Sequence, residues 1–561
     1  MPHQLGIQPE RMAGGTNTPS PACLFACVTG LAVFAPLLCG DADPQQNPSD
    51  SASAQDQIDR LKLRLRMQQQ EIDELRQRLD AQQKLLDKIS PALPLAQAPE
   101  RKAEPISSPV RNAAAPALPD STPVKAPLSF ELGGVTFTPT GFLDSSQVWR
   151  SKTVTSGLPT AFAAIPFNDT VLGHRRQTLS SAALTRLGVR MNTRVRGFEV
   201  LGLVEADFLG YVPNNVATTT NSYGLRLRLA FADVRKNRWE VLAGQNWSLL
   251  TPARKGISPL PDTLFLTQDL DPNIQSGLVW ARSPQFRIVY HAGPGVAMGL
   301  SFESADTYAG GSAGAGTITL PAALAPNYFG QVDISTGNGN SVPSPNTDWI
   351  AKIAFDPRGA SRSMHFELGG LMSRFAFYNP LNNRSFSTSG GGVAVNASIE
   401  VVRRLTFFTN NFYTRGGGNY IFGEAPDLIV QGTGAPSLVP AASTVDGLEF
   451  ETTQKWKFWA YYGGTWIDRV STIDPATLQP VGYGYAGSPN SQNRTIQELT
   501  GGFHRVFWNS PNYGTFRFSG QYSWLVRHPW FVAQGQPASA NLNMVYLGFR
   551  YFLPGLTPAS R

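Results

Sequence analysis

The stretch LTRLGVRMNTRVRG, residues Leu184 to Gly197, sets Arg186, Arg190 and Arg194 on one parity with Gly188 and Asn192. Leu187, Val189, Met191 and Val195 take the other. Successive side chains of an extended backbone point to opposite faces, so this segment is a ribbon with one apolar face and one cationic face. A soluble sheet with one wet face would satisfy that pattern as well as a membrane barrel would. The rest of the chain decides between them.

The 561 residues include only 16% charged side chains, at a mean hydropathy of −0.17. After the N-terminus no run reaches the ~18 uninterrupted apolar residues of a membrane helix. Any contact with lipid must therefore be made by strands. Cys23, Cys27 and Cys39 all lie in the run ACLFACVTGLAVFAPLLC, behind a weakly basic start carrying Arg11. This reads as a secretory signal over residues 1–42, with Gly40 and Ala42 as the small residues at the cleavage positions. Leu38 before Cys39 argues against lipid attachment. Processing would remove Arg11, Glu10 and Asp41, leaving 46 basic and 38 acidic residues and moving the net charge from +7 to +8. The mature chain would hold no cysteine, which excludes a disulfide scaffold, a thiolate nucleophile and a Cys-ligated metal.

Three regions follow the signal. Over residues 54–90 the apolar spacing alternates threes and fours: Ile58, Leu65, Ile72, Leu79 and Leu86 at a, with Leu61, Gln68, Leu75, Gln82 and Ile89 at d. Such a narrow seam predicts a self-associating coiled coil, its glutamine layers fixing register; two or three strands both fit. Residues 91–128 hold nine prolines among alanines and serines and form a stiff, extended tether. From 129 to 561 the texture is of short alternating segments rich in aromatics and separated by Gly, Pro, Asn and Ser. Sixteen strands are expected, at 135–149, 184–196, 198–210, 224–235, 238–248, 277–291, 295–304, 347–355, 363–378, 391–402, 404–414, 443–455, 457–469, 492–506, 513–527 and 540–553. Many reach the ~9–11 residues needed to cross a bilayer at a tilt.

The connections alternate between tight turns, at Gly197 or Lys236-Asn237, and long ones, at 150–183, 249–276, 305–346 and 415–442. That asymmetry predicts an all-β transmembrane barrel of sixteen antiparallel strands, with short periplasmic turns and long outer loops. Because lipid offers no hydrogen bonds, only a closed barrel lets strands cross it, apolar parity outward. Phe516, Phe518, Tyr522, Trp524 and Val526 share that outward parity, while Thr515, Arg517, Ser519 and Gln521 share the inward one. Tryptophans near strand ends, at 149, 239, 247, 456, 459, 466, 508, 524 and 530, read as interfacial girdles.

Turning the opening arginines to lipid would cost up to ~2–4 kcal/mol each near the midplane. Arg186, Arg190, Arg194, Arg226, Arg228 and Arg517 are therefore expected to line the lumen, with Leu225, Leu227, Leu229 and Phe231 outward. Between His174 and Trp239, eleven Lys and Arg stand against four acids, predicting a basic ladder down one wall. The long segment Ser248–Ser276 follows the fifth strand. In sixteen-stranded porins the loop in this place folds inward and narrows the pore. Here it would set Arg254 and Lys255 beside Asp262, Asp269 and Asp271. A basic lining in a low-dielectric wall selects anions.

The order of signal, coiled coil, proline-rich tether and barrel resembles the DcaP-like porins of Gram-negative outer membranes. The residues that carry the resemblance are the heptads from Ile58 to Ile89, the opening strand FTPTGFLDSSQVW (Phe137 to Trp149) and RWEVLAGQNWSLLTP (Arg238 to Pro252). The last strand, NMVYLGFRYFLP, resembles the C-terminal signal read by the barrel-assembly machinery, although eight residues follow Leu553. The resemblance implies homotrimers that take up small anionic solutes such as dicarboxylates. A phosphate-selective porin is a related alternative, and a barrel-anchored tether between outer membrane and cell wall is another. His174, His291, His365, His504 and His528 sit in no GxSxG or HExxH context, so no enzyme is expected, and no cofactor or metal. Nucleic-acid binding is disfavoured because the basic residues sit on strands with apolar partners.

Overall fold

Alternation sustained over sixteen segments produces sixteen staves. The computed structural model describes residues 128–554, apart from 155, 211–223, 261–263, 312–314, 329, 334–341, 343, 358–361 and the side chains of 268 and 269. The signal (1–42), the coiled coil (54–90) and all but the last residue of the tether lie outside the described residues.

The strands are β1 (Phe130–Leu132), β2 (Val135–Arg150), β3 (Gln177–Ser181), β4 (Arg186–Val195), β5 (Phe198–Gly210), β6 (Gly224–Lys236), β7 (Trp239–Trp247), β8 (Arg282–Gly293), β9 (Val296–Glu303), β10 (Asp348–Phe355) and β11 (Met364–Asn379). They continue with β12 (Arg384–Val402), β13 (Leu405–Arg415), β14 (Leu428–Val430), β15 (Pro436–Leu438), β16 (Pro440–Thr453), β17 (Trp456–Ile467), β18 (Val470–Ile473), β19 (Pro480–Tyr483), β20 (Asn493–Ser510), β21 (Gly514–Pro529) and β22 (Ala540–Phe552). Each stave pairs antiparallel with the next in the chain, and β22 returns to β2 with Gly548 opposite Ser146, which closes the barrel. Two consecutive strands, β3 and β4, together form the second stave, pairing with the upper and lower halves of β2. The hairpins β14–β15 and β18–β19 lie in outer connections.

The tight turns are built as the twist of paired strands requires. Arg196 and Gly197 between β4 and β5 have φ of +50° and +80°, the two left-handed positions of a two-residue hairpin. Stave boundaries agree with the alternation within a few residues, with three exceptions, one being the second stave, which begins with β3 at Gln177 and not at 184. Strand β12 begins at Arg384 and not 391, because Ser385, Ser387, Ser389 and the glycines after them carry no apolar parity to read, yet pair with Leu371–Tyr378 of β11. Strand β8 begins at Arg282 and not 277, because the loop before it holds Gly277–Ala281 in other bonds, including Trp280 N–H to Tyr420 O at 2.9 Å.

Outward parity is apolar: Leu187, Leu225, Leu227, Ile353, Leu368, Val395, Leu448 and Leu547 are all exposed. Asp446 departs from this rule and is tied to Thr444 Oγ1 at 2.9 Å. Two expectations are corrected. Leu229 and Phe231 do not face outward; they are 1% and 6% exposed and pack with Leu203 and Leu242. The cause is a bulge: Leu229 pairs with Glu205 and Leu227 with Ala206, so Arg228 is an extra residue and every parity after it inverts. Trp459 is no girdle residue either, being 4% exposed with its ring 4.6 Å from His504, and Trp247 packs against Trp280 at 5.9 Å.

Replacing Val189 with Arg places a cation on the lipid face near mid-stave. Denaturant midpoints of the protein refolded in vesicles should fall by the equivalent of ~2–4 kcal/mol, whereas Arg190→Ser on the opposite face should leave them within ~1 kcal/mol of the parent.

Candidate functional site

The described residues of the 34 between β7 and β8 leave the wall and reach across the interior. Their path is set by inward carboxylates that accept the loop's own donors. Glu303 on β9 accepts Leu249 N–H at 2.8 Å, Glu367 on β11 accepts Ala253 N–H at 3.2 Å, and Asp356 after β10 accepts Gly256 N–H at 3.0 Å. On the far side Glu498 of β20 accepts Ser276 N–H at 2.9 Å, and Glu424 accepts the Ser276 hydroxyl at 3.1 Å. A carboxylate that accepts backbone N–H groups satisfies its own lone pairs and the loop's orphan donors in a single contact.

Between these anchors the loop is held by apolar packing. Leu264, Phe265, Leu266, Leu270 and Ile274 are buried against Phe408, Val445, Ile496, Leu542 and Tyr546 on the facing wall. The Phe265 ring meets Tyr461 edge-on at 5.0 Å, and Tyr461 Oη accepts Leu266 N–H at 3.1 Å. Loop and wall thus form one core across the lumen.

An arc of adjoining staves from β21 round to β6 carries the arginines. Arg186 of β4, Arg226 and Arg228 of β6, Arg517 of β21 and Arg550 of β22 point inward with Asp144, Glu205 and Asp207. Arg226 makes a forked pair with Asp207 at 3.0 and 2.7 Å. Arg228 bridges Glu205 at 3.0 Å and Asp207 at 2.7 Å, and Arg550 donates to Asp144 at 3.0 Å. The Arg186 guanidinium lies 5.1 Å from the Phe142 ring centroid and 3.6 Å from Glu205. Arg190 donates to Asn192 Oδ1 at 3.2 Å and makes no ion pair among the described residues.

No protein-family model and no curated protein matches the chain. Among solved structures, the outer membrane channel DcaP of Acinetobacter baumannii aligns with a TM-score of 0.54 at 20% identity, covering 76% of this chain and 99% of that one. The barrel has the DcaP fold. An anion-selective porin from Comamonas acidovorans aligns with a TM-score of 0.42 at 12% identity, covering 75% of this chain and all of the porin, 100%.

Within that fold the expected site residues separate into three groups. Arg186, Arg190, Arg226, Arg228 and Arg517 share the inner wall of adjoining staves. Arg194 does not join them: it lies at the hairpin end, its side chain 72% exposed and paired with Glu199. In the loop, Arg254 is no pore cation facing Asp271. It reaches Glu449 of β16 at 3.0 and 2.5 Å, caps Leu264 O and lies 4.2 Å over the Phe408 ring. Lys255 is exposed. Asp271 is fully buried, its Oδ1 accepting Asn273 N–H at 3.0 Å, and burial pushes its carboxyl upward. Asp262 and the Asp269 side chain lie outside the described residues. Arg550 and the carboxylate anchors were missed by the pattern; Arg550 sits on the inward parity of the last strand, a signal that alternation alone contained.

Glu449→Gln removes the buried carboxylate that Arg254 and Lys457 both grip, a change that costs ~3–5 kcal/mol when a buried pair is broken on one side. The barrel should still close, as judged by heat-modifiable electrophoretic mobility. Single-channel recordings should show higher conductance and more open-state noise than the parent, and an unchanged trace would mean that this pair does not hold the loop.

Proposed function

We propose that the barrel is an outer-membrane porin through which small anionic solutes, dicarboxylates among them, diffuse past an arginine-rich wall. The charge balance on six adjoining staves carries this reading. Inward-facing Arg186, Arg190, Arg226, Arg228, Arg517 and Arg550 stand against Asp144, Glu205, Asp207 and, lower on β6, Asp233. The remaining excess is positive, in a wall where low-dielectric protein focuses the field into the water. Glu303, Glu367, Glu449 and Glu498 are occupied with donors of the loop, which offsets the negative potential they add to the path. A fold shared with a protein described as an outer membrane channel supports the porin part of the reading.

In the same proposal residues 1–42 direct export and are removed, and the coiled coil of 54–90 stands in the periplasm and joins three copies. Its glutamine layers at Gln68 and Gln82 set the register of that assembly.

Reversal potentials across planar bilayers under a salt gradient test the selectivity. The parent channel should prefer anions. Arg190→Ser and Arg228→Ser should each shift the potential toward cations, the second more strongly because Glu205 and Asp207 lose a counter-charge. Arg194→Ser, whose charge is exposed and paired at the rim, should change it little. Cation preference in the parent would overturn the proposal.

A further inference from the structure

The outward parity is not apolar throughout. On β13 and β16 the side chains that alternate with buried, inward Phe408, Asn410, Val445 and Glu449 include Thr409, Asn411, Thr444 and Asp446, so these four polar residues stand on the lipid side of the wall. Register sets them side by side, with Thr409 opposite Asp446 and Asn411 opposite Thr444. Asn411 Nδ2 donates to Thr409 Oγ1 at 2.9 Å, and Thr444 Oγ1 lies 3.0 Å from Asn411 Oδ1 and 2.9 Å from Asp446 Oδ2. The cluster continues onto the next two staves. Tyr462 of β17 is opposite Asp446, and Gln497 of β20 is opposite Gly464, both on the parity of exposed Phe458 and Leu499. The Gln497 side-chain amide makes no hydrogen bond among the described residues.

These groups do not sit at the rim. Tyr462 lies between Phe458 and Trp466, the exposed outward aromatics toward the two ends of β17, which sets Asp446 between the interfacial belts. Hydrocarbon at that depth offers a carboxylate or an amide no partner, so polar groups on the lipid face of a strand are costly. A second protein surface removes that cost by supplying the missing partners. The opposite wall shows the contrast: β6, eight staves round from β16, turns Leu225 and Leu227 outward, and β4 turns out Leu187 and Val189.

We infer that the outward face of β13, β16, β17 and β20 docks a second copy of this chain. Amides and hydroxyls both donate and accept, so Thr409, Asn411, Thr444 and Gln497 pair with the same set on a copy and give Asp446 donors that lipid lacks. Ala442, Ala460 and Gly464 share this parity, and such small residues let two walls approach closely. Tethering favours a copy over an unrelated protein. Chains joined at residues 54–90 hold their barrels at an effective concentration that a free partner does not match. The inference rests on the joining of three copies proposed above and deepens it by naming the face.

Cross-linking of cysteine variants in isolated outer membranes tests the face, with the parent, whose cysteines all precede Gly40, as the blank. Treated with a short bismaleimide, Thr444→Cys should shift into multimeric bands on electrophoresis, while Leu227→Cys on the opposite wall stays at the parent level. Oligomers of Asp446→Leu and of Asn411→Leu should separate into folded monomers at a lower temperature than those of the parent, because each change removes a group that bonds across the interface. On a lipid-covered face the same changes would leave that temperature unchanged or raise it. Heat-modifiable mobility of the released monomer verifies that each barrel is folded. Cross-linking through Leu227→Cys and not Thr444→Cys, bands that join Thr444→Cys only to a different protein, or oligomers unaffected by both leucine substitutions overturn the assignment. A chain that is monomeric in membranes overturns the joining of copies together with the face, whereas an oligomer cross-linked through Leu227→Cys loses the face alone. Reversal potentials depend on neither, so anion preference stands or falls separately.

Discussion

Hydrocarbon offers a peptide group nothing to bond with, and this single constraint shapes the whole molecule. Every stave must find partners on both sides, so the sheet has to close, and the pairing of β22 with β2 is where it does. Closure in turn divides each strand into a parity that meets lipid and a parity that meets the interior. The chemistry that meets solutes is confined to the second. A protein with 16% charged residues can afford an interior rich in carboxylates and guanidinium groups only because the outward parity carries so few of them.

The interior is then divided a second time, by the crossing loop. Glu303, Glu367, Glu449 and Glu498 lie on β9, β11, β16 and β20, and each is engaged with a donor of the loop. Buried carboxylates would be prohibitively expensive alone; backbone N–H groups and the Arg254 guanidinium make them tolerable and make the loop's path specific. The arginines of β4, β6, β21 and β22 lie on the arc of staves that starts at β21, next to β20, where Asp144, Glu205 and Asp207 neutralise only part of their charge. The same leg of loop that is pinned by Glu303, Glu367 and Asp356 also roofs a cavity between β8 and β10.

Strand period is local, and what depends on it was legible in the chain. Sixteen staves, the tight turns at Arg196-Gly197 and Asn237, and the inward aim of Arg186, Arg190 and Arg226 all follow from alternation of residues two apart. Where alternation is silent, as in Arg384–Gly392, the strand was shortened, and where a residue is inserted, as at Arg228, the faces beyond it were reversed. A bulge changes no composition and leaves no mark on the pattern before it, so its effect on Leu229 and Phe231 was invisible.

The amino-acid order by itself determined that the chain forms a closed barrel with a cationic inner stripe and a long loop after its fifth stave, because those features need only neighbours along one strand. Tertiary structure alone decided which charges remain on the open part of the inner wall. Arg254 and Glu449 are 195 residues apart, and Arg550 and Asp144 are 406 apart. Whether a guanidinium is a loop anchor or part of the inner arginine wall depends on what the folded chain brings within hydrogen-bond distance, and sequence separation carries no record of that.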